Sequence, residues 1–290
     1  MLNANSKRWA LGVVGALLAL PAAAYESSFN LPRGVTPVSR KVYDLHMLIF
    51  WVCVVIGALV FGAMVYSFFR FRRSQGAVAD QSFTHSTKIE VIWTILPFLI
   101  LVGMAIPAAR TLLIMEDTRG SELSIKVTGY QWQWQYEYLG QGVSFYSRLA
   151  EDSNEARQLG SGIDPRTVKD YLLNVDHPLV VPVDTKVRVL ITGNDVIHAW
   201  WVPDFAVKKD AIPGFVNEAW FTAEKIGRYT GQCAELCGRD HGFMPIVVEV
   251  VSKSDFAQWL ASSKTAGRPA PLPVAATNHA PAAVAASASP

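Results

Sequence analysis

The chain has 290 residues, about half of them apolar, and a formal net charge of only +2. That charge is unevenly spread: residues 116–264 carry 20 acids and 15 bases (net −5), while the rest carries 4 acids and 11 bases (net +7). An acidic folded part excludes nucleic acid as its partner and favours a basic protein, and three cysteines, one inside an apolar run, do not make a disulfide scaffold.

Residues 1–24 read as a signal peptide: Lys7 and Arg8 supply the charged start, Leu11–Leu20 the short apolar stretch, and Pro21-Ala22-Ala23-Ala24 a small-residue cleavage site. Residues 25–42 then form a segment outside the cytoplasm. Leu45–Phe69 is a run of 25 residues free of Asp, Glu, Lys and Arg, and Val91–Ala109 is a second run of 19. Each is long enough to cross a bilayer core of roughly 30 Å. Pro97 and Pro107 fall inside the second, as membrane helices tolerate. The two runs predict a transmembrane hairpin over 43–115, with Arg70, Arg72, Arg73 and Lys88 in a cytoplasmic loop. The signal peptide then sets both outer ends, and everything beyond residue 110, outside the cytoplasm.

From about residue 120 the pattern changes to period two. Leu123, Ile125 and Val127 alternate with polar residues, as do Val187 and Val189, and Pro245–Val251 is an apolar, β-branched closing strand. Short strands broken by Gly, Pro and Asp predict an all-β sandwich or barrel over 116–264. GYQWQWQYEY (129–138) reads as one strand with Trp132 and Trp134 on the same aromatic face. Residues 147–170 are polar, with a short helix expected over Glu151–Gln158, and another over Phe256–Ser262. The Ala/Pro-rich stretch 265–290 is expected to be a disordered tail.

The strongest chemical signal is GQCAELCGRDHGFMP (231–245), which spaces Cys233, Cys237, His241 and Met244 as C-x₃-C-x₃-H-x₂-M. Upstream, His198 stands in NDVIHAWWVP. Two thiolates, two imidazoles and a thioether form a soft set that favours copper over hard cations. Zinc accepts Cys and His, though its structural sites seldom recruit Met. A Cys233–Cys237 disulfide suits an exported domain but leaves His241 and Met244 without a purpose. A ligand loop between two strands plus one distant His is the plan of cupredoxin copper sites, and a second Cys suggests two coppers bridged by two sulfurs.

With these motifs the chain resembles subunit 2 of the haem–copper cytochrome c oxidases. The resemblance runs from about Val42 to Leu260 and rests on EVIWTILP (90–97), GYQWQWQYEY, VDHPLVVPVDTKVRVLITGNDVIHAWWVP (175–203), KKDAIPG (208–214) and residues 231–248. The signal peptide, residues 147–170 and the tail lie outside it. It implies a two-helix hairpin followed by a cupredoxin-like Greek-key domain, in the inner membrane of a bacterium with the domain in the periplasm. It implies His198, Cys233, Cys237, His241 and Met244 as ligands of the binuclear copper centre called CuA. Glu235 would contribute its backbone carbonyl, and its side chain a ligand to a Mg or Mn ion shared with subunit 1. Asp210 would stand behind that ion. Trp132 would be the electron-entry residue and Glu90 the entrance of a proton path. Glu137, Asp176 and Asp195 would help dock cytochrome c. Subunits 1 and 3 would be partners, and the complex would couple cytochrome c oxidation to oxygen reduction and proton pumping. A copper-free quinol oxidase subunit would lack the thiolates, and a copper carrier would have no need of EVIWTILP. Nitrous oxide reductase would need a large further domain. No C-x-x-C-H haem motif occurs, so electrons come from a separate protein.

Overall fold

Two long helices precede a β-sandwich in the computed structural model, which describes residues 30–72, 74, 76, 78, 82, 85–267 and 269. The signal-peptide assignment, Arg73 of the hairpin loop, residue 268 and the tail from residue 270 lie outside the described residues, whereas Thr265 and Ala266, expected in the disordered tail, instead end the terminal helix. Helix α1 spans Pro37–Arg70 and α2 spans Thr87–Met115. Both are longer than their uncharged runs: α1 starts at a side-chain cap, whereas α2 extends from Thr87 without one. Thr36 and Ser39 close a reciprocal capping box around α1, with Pro37 in the first turn. A 34-residue helix is roughly 51 Å long. Its polar first turns, with Arg40, Lys41 and Asp44, therefore extend past the apolar stretch toward the β-domain. In α2 the two prolines each remove one ladder hydrogen bond, and the Thr111 hydroxyl donates to the Pro107 carbonyl at 3.0 Å. The large apolar side chains of both helices point outward, among them Leu59, Phe61 and Phe68, as in helices solvated by lipid.

The sandwich comprises β1 (Leu123–Tyr130), β2 (Gln133–Tyr138), β3 (Val143–Ser147), β4 (Leu179–Pro182), β5 (Lys186–Gly193), β6 (His198–Val202), β7 (Val207–Ala211), β8 (Asn217–Thr222), β9 (Gly227–Cys233) and β10 (Pro245–Val251). One sheet runs β3-β2-β1-β5-β8 and the other β4-β10-β9-β6-β7. The β1–β5 and β4–β10 pairs are parallel. Alternate residues of β1 and β5 (Ile125, Val127, Val187, Val189, Ile191) are fully buried between the sheets, the pattern that pins the register. A short helix α3 (Glu151–Ala156) and a terminal helix α4 (Lys253–Ala266) complete the domain. Helix α4 is longer than Phe256–Ser262 because Ser252 caps it and Gly267, in the left-handed region, ends it. Its Trp259 is buried against Tyr138 and Phe256.

The aromatic stretch is not one strand. It is a hairpin: β1 ends at Tyr130, β2 starts at Gln133, these two pair, and Gln131-Trp132 is the turn between them. Alternation at period two survives only from Trp134 through Tyr136 to Tyr138, all buried in the core. The turn lifts Trp132 off that face and leaves it half-buried.

The hairpin and the domain are joined by short-range contacts. The Val35 N–H donates to the Asp204 carbonyl at 2.9 Å, the Thr36 hydroxyl to the Phe205 carbonyl at 3.2 Å, and the Trp220 indole N–H to the Ile114 carbonyl at 3.2 Å. Arg40–Glu224 (2.8 Å) and Lys209–Glu116 (3.0 Å) add ion pairs. Gly34 is required there. Its φ is +68° and a Cβ would lie 2.4 Å from the Asp204 carbonyl oxygen.

Candidate metal centre

Three backbone segments converge at one end of the sandwich. Cys233 ends β9, Pro245 starts β10, and residues 234–244 loop between them. The Cys233 N–H donates to the Met244 carbonyl at 3.1 Å, which closes the loop at its neck. His198 begins β6, whose Trp200 pairs with Cys233, and the Ala234 N–H donates to the Ala199 carbonyl at 3.0 Å. The distant histidine thus arrives through sheet pairing, and the other donors arrive through the loop.

The donor atoms sit close together. Cys233 Sγ lies 4.0 Å from His198 Nδ1, 3.8 Å from Cys237 Sγ and 3.4 Å from the Glu235 carbonyl oxygen. Cys237 Sγ lies 3.5 Å from His241 Nδ1. His198, Cys233 and Cys237 present ligand atoms within 4.8 Å of one another. His198, Cys233, Cys237 and Met244 are buried, while His241 is half-buried at the rim. Both cysteines are free thiols in this structure, with their sulfurs 3.8 Å apart against about 2.05 Å in a disulfide. The chemistry of the set fits a soft metal: two sulfurs, two imidazole Nδ1 atoms and a carbonyl turned inward in a water-poor pocket.

The electrostatics point the same way. Burial works to raise the Cys233 thiol, but hydrogen bonding from His198 and from the backbone at Ala199 and Glu235 brings it down to about 7. Burial and the neighbouring Cys233 push Cys237 up to about 12. Two thiols this close do not both ionise without a cation between them. Metal uptake must therefore expel protons, and it weakens as pH falls because protons compete for the sulfurs. Titrating the reduced, metal-free chain with Cu against a chelator should give an affinity that drops as pH is lowered through about 7. A pH-independent affinity would argue against thiolate ligation.

Neighbouring groups hold the ligands in place. Asp195 Oδ1 lies 2.9 Å from His198 Nε2, which leaves Nδ1 facing the sulfurs. The Asp195 carboxylate also accepts the N–H groups of Gln131 (2.8 Å) and Val196 (2.7 Å). The Gln131 side-chain amide (2.9 Å) and the Trp132 indole N–H (3.2 Å) both donate to the Cys237 carbonyl. Trp134 meets the His198 ring edge-on, with centroids 6.0 Å apart. Gly129 makes room for that ring, since a Cβ there would lie 2.7 Å from His198 Cδ2.

Other residues singled out from the sequence are dispersed. Asp210 lies on β7, paired with Ala199 of β6. Glu137 is on the outer face of β2, opposite Lys126. Asp176 accepts the Arg148 N–H at 2.9 Å and pairs with its guanidinium. Glu90 is in the first turn of α2, 25 residues from the end that abuts the domain, roughly 38 Å along the helix. Sequence reasoning missed Gln131, the contact of Trp134 with His198, and the hold of Asp195 on His198. The last had a signal in the three-residue spacing of NDVIH.

Comparison with known proteins identifies the family. The family model "Cytochrome C oxidase subunit II, periplasmic domain" matches residues 123–251, and the corresponding transmembrane-domain model matches residues 24–110. The chain belongs to the cytochrome c oxidase subunit 2 family. The periplasmic match includes residues 147–170, which the motif resemblance left out. A probable cytochrome c oxidase subunit 2 of Rickettsia prowazekii is 40% identical over 245 residues, covering 84% of this chain and 74% of the relative. Cytochrome c oxidase subunit 2 of Cereibacter sphaeroides is 35% identical, covering 88% and 90%. Among solved structures, the periplasmic domain of subunit II of cytochrome oxidase of Bradyrhizobium japonicum is 46% identical, covering 51% of this chain and 98% of that one, with a TM-score of 0.44. A subunit 2 of this family is part of a haem–copper oxidoreductase complex, and here its two membrane-capable helices precede a cupredoxin-like domain of the periplasmic type.

Proposed function

We propose that this chain is the electron-entry subunit of a bacterial inner-membrane cytochrome c oxidase. It takes electrons from cytochrome c at a CuA centre and passes them to the haems of subunit 1, where oxygen reduction drives proton pumping. The single observation that carries the reading is the buried cluster of His198, Cys233 and Cys237, with half-buried His241 at its rim and the Glu235 carbonyl turned onto a sulfur. These residues, with Met244, would hold the two coppers, which when bound supply a one-electron store with little change of geometry on reduction. The chain's own groups keep that geometry. Asp195 fixes the His198 ring, the loop neck fixes Cys233 against Met244, and Gln131 and Trp132 fix the Cys237 carbonyl.

Trp132 fits electron entry because it is half-exposed and hydrogen-bonded to a ligand residue, whereas Trp134 is sealed in the core. The side chain of Glu235, exposed at the metal loop, fits a Mg or Mn ion shared with subunit 1, with Asp210 of β7 behind it. Subunit 3 completes the expected neighbours. Glu137 and Asp176 remain on the outer surface for docking, while Asp195 is engaged with His198, Gln131 and Val196 and is assigned to positioning. Glu90, at the far end of α2, fits the entrance of a proton path on the opposite side of the membrane.

The test of the centre is spectroscopic. Full-length chain in detergent, reconstituted with copper, should give an electron-spin resonance spectrum with hyperfine structure from two equivalent nuclei. A single-copper spectrum, or tight zinc binding alone, would overturn the reading. Steady-state oxidation of cytochrome c separates the surface roles. Glu137→Gln and Asp176→Asn should raise KM and flatten its salt dependence. Glu90→Gln should lower turnover with KM unchanged. A KM indifferent to the first two, or turnover indifferent to the third, removes the corresponding role.

A further inference from the structure

Residues 147–170 have no part in the ligand set, yet they reach it. Their base is fastened to the sandwich by a Leu149–Val175 bridge and by the Ala150 N–H donating to the Asn174 carbonyl at 3.1 Å. Helix α3 is anchored from inside by Ser153, buried, whose hydroxyl accepts the Leu172 N–H at 3.3 Å. Arg157 caps the C-terminus of that helix, and Asn154 steadies it by accepting its Nε–H at 2.8 Å. From there the guanidinium crosses to the metal loop. It lies over the Phe243 ring, 4.3 Å from the centroid, and pairs with Asp240 at 3.4 Å. Asp240 directly precedes His241, and Phe243 directly precedes Met244. The pair is mostly shielded, with side-chain exposures of 20% for Arg157 and 15% for Asp240. Trp132 lines the same groove of about 160 Å³ with Arg157, Asp240 and Phe243.

We infer that Arg157 is a positioning residue for the copper-ligand loop: the 147–170 segment clamps the His241–Met244 end of the loop from outside the sandwich. The inference rests on the copper reading for its functional meaning, although the clamp itself is a property of the chain. The physical case is that the loop has two ends held differently. Its Cys233 neck is locked by sheet pairing and by the Met244 carbonyl. The 240–243 stretch is otherwise held only locally, by the His241 N–H to the Gly238 carbonyl, the Phe243 N–H to the Asp240 carbonyl, and a pairing of Asp240 with the exposed Arg239 at 3.3 Å. A planar guanidinium can stack on a ring and bind a carboxylate at once, which an ammonium does less well. Arg157 therefore restrains the two residues that flank ligands, and it does so without touching a ligand.

The experiment compares the parent chain with Arg157→Ala, Arg157→Lys and Arg166→Ala. Arg166 is in the same segment but exposed and, among the described residues, paired only with nearby Asp164, so it controls for the segment in general. In the reduced, metal-free full chain, Arg157→Ala should speed amide hydrogen exchange in residues 238–244 by about tenfold, the scale of one shielded cation–π contact. Exchange elsewhere in the sandwich should not change. Arg157→Lys should fall between, and Arg166→Ala should match the parent. In the copper-loaded oxidase, Arg157→Ala should broaden the two-copper hyperfine pattern and shift the midpoint potential of the centre. A merely stabilising role would instead raise exchange across the whole domain. Unchanged exchange in 238–244 for Arg157→Ala, or an equal change for Arg166→Ala, overturns the clamp. If the parent gives no two-copper spectrum, the copper reading falls while the exchange data still decide the clamp.

Discussion

Cys233→Ser is expected to abolish cytochrome c oxidation by the assembled oxidase while leaving the β-domain folded. Cys233 is the hub of the donor cluster, within 4.0 Å of His198, Cys237 and the Glu235 carbonyl. Loss of a group that merely orients a ligand typically costs 10–100-fold in metal affinity or activity. Loss of the ligand at the hub should exceed about 100-fold. A hydroxyl is a hard donor with a high pKa and does not replace a thiolate for a soft metal. The fold should persist because the position is held by its backbone: pairing with Trp200, and the N–H bond to the Met244 carbonyl. Copper content, the two-copper spectrum and turnover should be lost together, with far-ultraviolet circular dichroism unchanged. Full activity in this variant would refute the electron route.

The two neighbouring tryptophans should separate cleanly, because one serves the surface and the other the core. Trp134→Ala empties a fully buried site between the sheets. Truncating a buried Trp costs about 3–5 kcal/mol, which corresponds to a melting point roughly 10–20 °C lower for a domain of this size. It also removes the edge packing on His198, so copper retention should suffer as a consequence. Trp132→Ala removes one hydrogen bond to the Cys237 carbonyl and a half-exposed ring. Its stability cost should stay near about 1 kcal/mol. Its effect should appear in stopped-flow kinetics, as a large loss in the rate of electron delivery from reduced cytochrome c. Thermal melts and single-turnover kinetics on the same preparations decide the matter. If Trp134→Ala slowed electron entry with its fold intact, and Trp132→Ala did not, the assignment would be reversed.

Local pattern alone carries much of this molecule. Two uncharged runs mark two helices because lipid demands apolar side chains over a fixed length. Alternation marks β5 and the apolar run marks β10, because a sheet face packed on a core repeats at period two and a strand buried on both faces does not. The C-x₃-C-x₃-H-x₂-M spacing marks the metal loop because all its donors come from one short segment. What the pattern misses depends on contacts between distant residues. Trp132 and Trp134 look equivalent in a period-two reading, and only the pairing of Tyr130 with Gln133 turns one of them out of the core. Asp195 looks like a surface acid, and although its three-residue spacing from His198 is local, its hold on the Gln131 N–H, 64 residues away, comes only from packing. Arg157 has no local motif, because its partners lie some 85 residues away and meet it through the packing of α3 against the loop. Sequence by itself determined the kinds of element and the candidate donor set, since those follow from side-chain chemistry at short range. Tertiary structure alone decided which distant side chains hold the candidate ligands and which tryptophan is turned to the surface, since those follow from pairing and packing between segments of the chain.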